Sequence, residues 1–251
     1  MSGNTGTPGA TVTGRVLAVL GAFDEHHRSL SLTSIARRAG LPLSTAHRMV
    51  AELVSLGALA PDPGASGGRD YVIGRRIWDI GLLAPVQTPL REAASPFLHD
   101  LYAATLATVH LAVRDGDEVL YVERLRGRAS VEIVSTVGSS LPLYSTGVGK
   151  VLLAHAPAAV VDRVLGRLEP VTAHTITDPA VLRAELARVR RDDVATTNQE
   201  MSLGGASIAV PVRRHGEVVA AIGVVVPTLQ RDRGRMVTAL QVAARGIGRQ
   251  L

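Results

Sequence analysis

Cysteine is absent from this 251-residue chain, which removes disulfides, thiolate zinc sites and cysteine nucleophiles together and suits a reducing compartment. Aromatic residues are scarce at 3%, although the composition is otherwise that of an ordinary globular protein. No apolar stretch reaches the ~18 residues that cross a bilayer, because Arg, Asp, Gly and Pro interrupt each candidate, including residues 218–226. No membrane partner is therefore expected. Charge bias is slight as well. Eight basic and six acidic residues precede position 86, and 19 basic and 16 acidic follow, giving +2 and +3 of the net +5. Any argument for nucleic acid must then rest on where the arginines stand. Motifs of catalysis are also missing. There is no Gly-x-Ser-x-Gly elbow, no His-Glu-x-x-His and no i, i+4 pair among the eight histidines, and adjacent His26 and His27 diverge. Around Gly149-Lys150 the phosphate-loop pattern fails at Tyr144 and at Val151. The expectation is no catalytic residue, no metal site and no cofactor.

What is present suits two domains of about 80 and about 160 residues. Residues 1–11, polar and rich in Gly, Thr and Ser, read as a disordered tail with no export signal, so the expected location is the cytoplasm. From Arg15, the residues Val16, Val19, Leu20 and Phe23 recur with the helical period behind Thr13 as a cap, predicting a helix that ends near residues 24–28. Residues 31–40 place Leu32, Ile35, Ala36 and Ala39 on one face and close on Gly40. Leu41-Pro42 forces an extended turn, and Ser44 or Thr45 then opens a third helix with Ala46, Met49, Val50 and Leu53 as its buried face. Residues 58–60 and 69–73, on either side of a Pro/Asp/Gly/Ser stretch, read as a hairpin. Three helices and a hairpin make a winged helix-turn-helix over 12–74. A helical linker over 75–104, interrupted at Pro85, leads to a larger domain over 105–251.

That larger domain mixes strands and helices in an α+β arrangement with an antiparallel sheet. A hairpin is predicted at 108–114 and 119–124, a further strand at 131–137, and helices at 148–155, around 160–165 and from Thr177-Asp-Pro through 191. Strands follow at 194–198, 206–212 and 218–226, and a helix closes the chain over 231–251.

In a helix-turn-helix the second helix lies in the major groove and turns its outward side chains to bases and phosphates. Ser44, Thr45, His47 and Arg48 stand opposite the apolar stripe of the third helix. They offer hydroxyls and a guanidinium that can grip phosphate or the acceptor edge of guanine. Arg37, Arg38 and Arg69, at the end of the second helix and the tip of the wing, are candidate phosphate contacts, and double-stranded DNA is the expected partner. In the larger domain, Ser145-Thr-Gly-Val-Gly149 runs into a helix. Backbone N–H groups near Gly147 and Gly149, with Thr146 and Val148 in the same turn, can point unsatisfied at a carboxylate, helped by the helix dipole. The competing reading makes these glycines a tight turn needed for packing.

Arg15-Val-Leu-Ala-Val-Leu, Ser31-Leu-Thr-Ser-Ile-Ala, Gly40-Leu-Pro-Leu-Ser-Thr-Ala-His-Arg and Tyr71-Val-Ile-Gly resemble the N-terminal domain of the IclR family of bacterial transcriptional regulators. Leu141-Pro-Leu-Tyr-Ser-Thr-Gly-Val-Gly-Lys-Val-Leu-Leu-Ala154, Ser207-Ile-Ala-Val-Pro-Val and Val219-Ala-Ala-Ile-Gly are similar to motifs of its C-terminal domain, in the same order. The resemblance spans about residues 12–250. It implies a GAF-like effector-binding domain, assembly as dimers or dimers of dimers, and control of a catabolic operon by a small organic or aromatic acid. It also implies that Asn198, Glu200 and Ser207 sit around the pocket mouth, with Leu143 and Val225 as apolar walls. Two departures stand out. Leu43 occupies a position that is often lysine or arginine, and Gly223 and Val225 replace small hydroxyl residues on the last strand, which implies a less polar pocket. A winged-helix scaffold for protein contacts, and a hydrolase fused to a DNA-binding module, are the alternative functions.

Overall fold

The computed structural model describes residues 11–24, 26–64, 70–81, 83, 88–127, 135–229 and 232–251. The chain divides into two compact units, Met1–Pro85 and Val86–Leu251.

The first unit opens with α1 (Val12–Leu20), capped by Thr11, whose hydroxyl accepts from the Gly14 N–H at 3.0 Å. The cap therefore lies two residues before the expected Thr13. The helix also stops earlier than its apolar period suggests, at Leu20, because the chain turns back through a bridge between Asp24 and His27. Phe23 still packs on the core from outside the helix. Strand β1 (Leu30–Ser31) precedes α2 (Leu32–Arg38), and Ser31 serves both, since its side chain accepts from the Ser34 N–H. Helix α3 (Leu43–Ser55) starts directly after Pro42, ahead of Ser44 and Thr45. Ala46, Met49, Val50 and Leu53 are its buried residues, as the period predicts. Strands β2 (Leu59–Pro61) and β3 (Asp70–Ile73) form the hairpin, and β1 pairs with β3 to give the antiparallel order β1-β3-β2. Helix α4 (Arg75–Gly81) follows.

The second unit begins with α5 (Thr88–Thr105). Expected as part of a linker, this helix instead buries Leu90, Ala94, Leu98 and Leu101 in the core of the unit. The hairpin of β4 (Thr108–Asp115) and β5 (Glu118–Leu125) follows, then β6 (Ser140–Pro142). Of the strand expected at 131–137, residues 131–134 lie outside the described residues. Ser135 to Val137 are not strand, and it is β6 that pairs with β5. The remaining elements are α6 (Gly147–Ala154), α7 (Ala158–Leu165), α8 (Pro179–Asp192), β7 (Ala195–Asn198), β8 (Ala206–Arg214), β9 (Glu217–Val226) and α9 (Arg233–Gln250). The start of α8 is the anticipated one, with the Asp178 carboxylate accepting from the Ala180 and Val181 N–H groups ahead of Pro179.

The sheet runs β6-β5-β4-β9-β8-β7, antiparallel throughout. Side chains alternate across it with period two. Val109, Leu111, Ile208, Val210, Ile222 and Val224 share one core with α5 and α9. Residues from the other face, Ala112, Ala209 and Ala221, share a second core with α6, α7 and α8. The first set is bulky and the second small. Small side chains let α6 sit close on the sheet, and every residue of α6 is buried.

Candidate DNA-binding face and effector pocket

On α3 the side opposite the core exposes Leu43, Ser44, His47 and Arg48, with Thr45 half-buried beside them. Pro42 supplies no side-chain cap, so the first-turn amides of α3 stay open to an anion from outside, as at other helix N-termini that bind phosphate. Arg37 is exposed. Arg38 is already committed within the unit. Its Nε donates to the Ala22 carbonyl oxygen at 2.6 Å and its guanidinium pairs with Asp24. The hydrogen bond from His27, then that from the His26 amide and the two neighbouring charges, hold the Asp24 carboxyl below the usual carboxylate range. Arg38 thus braces the turn after α1, and Arg69 lies outside the described residues.

In the second unit, α6 begins against the middle of the sheet and borders a small cavity of about 50 Å³. Thr146 caps the helix, its Oγ1 accepting from the Gly149 N–H at 3.1 Å. Gly149 therefore has no amide to spare, contrary to expectation, and it does not line the pocket. The amides of Gly147 and Val148 carry no partner among the described residues. Glycine is favoured at 147 by close approach, since a Cβ there would lie 2.5 Å from Ser207 Oγ and the hydroxyl would have to move. One at 149 would lie 2.4 Å from the Leu143 carbonyl oxygen. Gly147 thus serves both packing and pocket, whereas Gly149 serves packing alone.

Thr146, Gly147, Val148, Ser207, Gly223 and Val225 all line this pocket. Leu143, Asn198 and Glu200 do not. Leu143 is fully buried in the core under α6, because the turn into the helix points it inward. Glu200 faces Lys150, the only lysine in the sequence. Lys150 has no solvent exposure, and its Nζ lies 2.6 Å from Glu185 and 2.7 to 2.8 Å from the two oxygens of Glu200. Burial raises the Glu200 carboxyl above its ordinary range, and the Lys150 ammonium opposes that shift. Beyond Glu200, Met201, Ser202 and Gly205 return to the pocket wall. That segment is held by Thr172 and Thr175, whose hydroxyls donate to the carbonyl oxygens of Gln199 and Glu200.

Several pocket residues had escaped the sequence reading. His110, on β4, shares a 2.9 Å hydrogen bond between its Nε2 and Ser135 Oγ, and its ring meets Tyr121 edge-on at 4.9 Å. Burial, with the Arg124 charge adding to it, lowers the imidazole to about 3, so it is neutral near pH 7. Burial pushes the Tyr121 phenol upward, opposed by its hydrogen bond with Thr146. Thr197 and Ser207 share a 2.6 Å bond between hydroxyls. The pocket is therefore lined by neutral polar groups, hydroxyls, one imidazole and two amides, set among Leu141, Val148, Ile208 and Val225. Alternating polar and apolar residues on different strands leave no local motif, so the one available signal was polar side chains within otherwise apolar strands, such as His110 in Thr108-Val-His-Leu-Ala-Val.

A winged helix-turn-helix carried in one chain with an α/β domain that holds a pocket lined by polar and apolar groups defines a DNA-binding transcriptional regulator that responds to a small molecule. The chain belongs to the IclR family: residues 4–63 match the IclR helix-turn-helix domain and residues 84–249 match the bacterial transcriptional regulator IclR C-terminal domain. It is 31% identical to the HTH-type transcriptional regulator KdgR of Escherichia coli (strain K12), over 94% of this chain and 91% of that protein. It is 33% identical to the Pca regulon regulatory protein of Pseudomonas putida, over 88% and 76%. Among solved structures it resembles an IclR homolog from Microbacterium hydrocarbonoxydans complexed with 4-hydroxybenzoate, with a TM-score of 0.88 and 34% identity, covering 96% of this chain and 99% of the other.

Proposed function

We propose that this regulator senses a small organic acid, preferably an aromatic one, and controls a catabolic operon from the cytoplasm as a dimer or dimer of dimers, without catalytic activity of its own. The observation that carries the ligand class is the pairing of open amides on Gly147 and Val148 with a neutral His110 and hydroxyls in one pocket. Amides at a helix start favour a carboxylate, and a neutral imidazole with serine and threonine suits a hydroxyl or ring substituent. The 4-hydroxybenzoate bound by the Microbacterium homolog has both groups. In this reading residues 12–74 bind DNA through Ser44, Thr45, His47, Arg48 and Arg37, with Arg69 at the wing. Residues 105–251 bind effector through Thr146, Gly147, Val148, Ser207, Gly223 and Val225, and residues 75–104 relay between them. The effector must bind two states of the protein with different affinity for any such relay to operate.

The test is an anisotropy titration against DNA flanking the gene, at two salt concentrations, with a panel of aliphatic and aromatic acids that includes 4-hydroxybenzoate. Selective binding that weakens with salt and is altered by an aromatic acid is the expected result. Selective binding that no acid alters would overturn the ligand class.

A further inference from the structure

Leu43 is the one side chain on the outward face of α3's first turn that can offer neither a hydrogen bond nor a charge, yet it is 51% exposed. The core leaves it out. Ala46, Met49, Val50 and Leu53 complete the buried stripe, while Leu43 shares its side of the helix with exposed His47 one turn on and borders exposed Ser44. It is also the first residue of the helix, in the part of a recognition helix whose side chains reach base edges. Phosphate gives an aliphatic group nothing to bind. Of the groups on the major-groove edge, all but one are hydrogen-bond donors or acceptors, and the exception is the 5-methyl of thymine.

We propose that Leu43 is a specificity-determining residue that reads a thymine through its 5-methyl group in each operator half-site. The inference rests on α3 being the helix that enters the groove. It goes further by assigning one base to one side chain. A lysine or arginine at this position would favour the acceptor edge of guanine, so leucine changes the base that is preferred and also weakens the dependence of binding on salt.

The experiment begins with a duplex that the full-length protein itself selects from random-sequence DNA. Each thymine in it is then replaced singly by deoxyuridine, which lacks only the methyl group. At one position per half-site the wild-type protein should bind about fourfold more weakly, the value of one buried methyl-sized group. Leu43→Ala loses the contact in both half-sites, so it should bind the parent duplex about sixteenfold more weakly, the product of two such losses, and show no further loss with deoxyuridine at that position. Leu43→Arg should shift the selected base there from thymine toward guanine. Wild-type binding that is selective yet indifferent to every deoxyuridine overturns the assignment and leaves the regulator reading intact, and needs no variant to fold. An equal deoxyuridine penalty in wild type and Leu43→Ala overturns it as well. Failure to select any sequence would overturn both.

Discussion

Adding one methyl group at Gly147 tests the central packing claim of the pocket. In Gly147→Ala the new Cβ would lie 2.5 Å from Ser207 Oγ, with Ser207 Cβ at 3.4 Å and Ala209 Cβ at 3.5 Å. Relief requires the serine hydroxyl to rotate away and give up its 2.6 Å bond to Thr197. Breaking such a bond and leaving its partners poorly solvated costs about 1–2 kcal/mol. Alanine recovers at most about 0.5–1 kcal/mol over glycine through its helix preference. Gly147→Ala should therefore lose about 1 kcal/mol. Ser207→Ala should lose a similar amount alone, because Thr197 is left without its partner. In Ser207→Ala, however, the contacts left for the new methyl are ordinary, and Gly147→Ala should be neutral or slightly stabilising. The double-mutant cycle then shows a coupling of about 1–2 kcal/mol, measured by urea unfolding followed in the far ultraviolet. Trp78 lies in the other unit and would not report this transition. Additivity within about 0.5 kcal/mol would refute both the close approach and the role of the hydroxyl pair in setting it.

Arg48→Ala should weaken operator binding and lower the slope of log affinity against log salt by about one for each protomer on the DNA if the guanidinium contacts phosphate, with effector affinity unchanged; an unaltered operator affinity counts against α3 as the reading helix. His110 is neutral when folded, at about 3 against an ordinary 6.5. Its unfolded state takes up the proton first, so its contribution to stability is complete above pH 6.5 and is lost as pH falls toward 3, by at most about 1.4 kcal/mol per pH unit. His110→Asn should flatten the fall in unfolding free energy between pH 6.5 and 4, and identical profiles would contradict a buried neutral imidazole. Lys150→Met leaves Glu185 and Glu200 without their shared cation and should cost about 3–5 kcal/mol. Glu200→Gln, which keeps an acceptor, should cost much less, and equal losses in thermal unfolding would argue against a charge-based role.

Where the chain obeys a local rule, its sequence is enough to place it. The buried face of α3, the capped start of α8 and the β4–β5 hairpin each depend on residues within one or two turns of each other, and all three appear as expected. Strand β1 is two residues long and exists only because β3 is beside it, so no local pattern announces it. Arg38 looks like a free cation until Ala22 and Asp24 are folded against it. The candidate effector pocket divides in the same way. Its helix start at Thr146, Gly147 and Val148 is legible as a motif, whereas His110, Tyr121, Ser135 and Thr197 meet only after β4, β5 and β7 are ordered in one sheet. Leu143 and Glu200 belong to the right segments but point away from the cavity. A motif places a segment, and the direction of a side chain depends on what packs over it.

Lys150 leads to a consequence of a different kind. Because every other basic side chain of the Lys/Arg set is arginine and this one amine is sealed between two carboxylates, the folded protein presents no lysine amine to amine-directed acylating reagents or to enzymes that acetylate lysine. Amine-directed cross-linking of the folded protein finds no lysine to join, so a failure to link says nothing of its oligomeric state. Conversely, any modification found at Lys150 marks a molecule whose second unit had opened, which makes this residue a chemical clock for that opening.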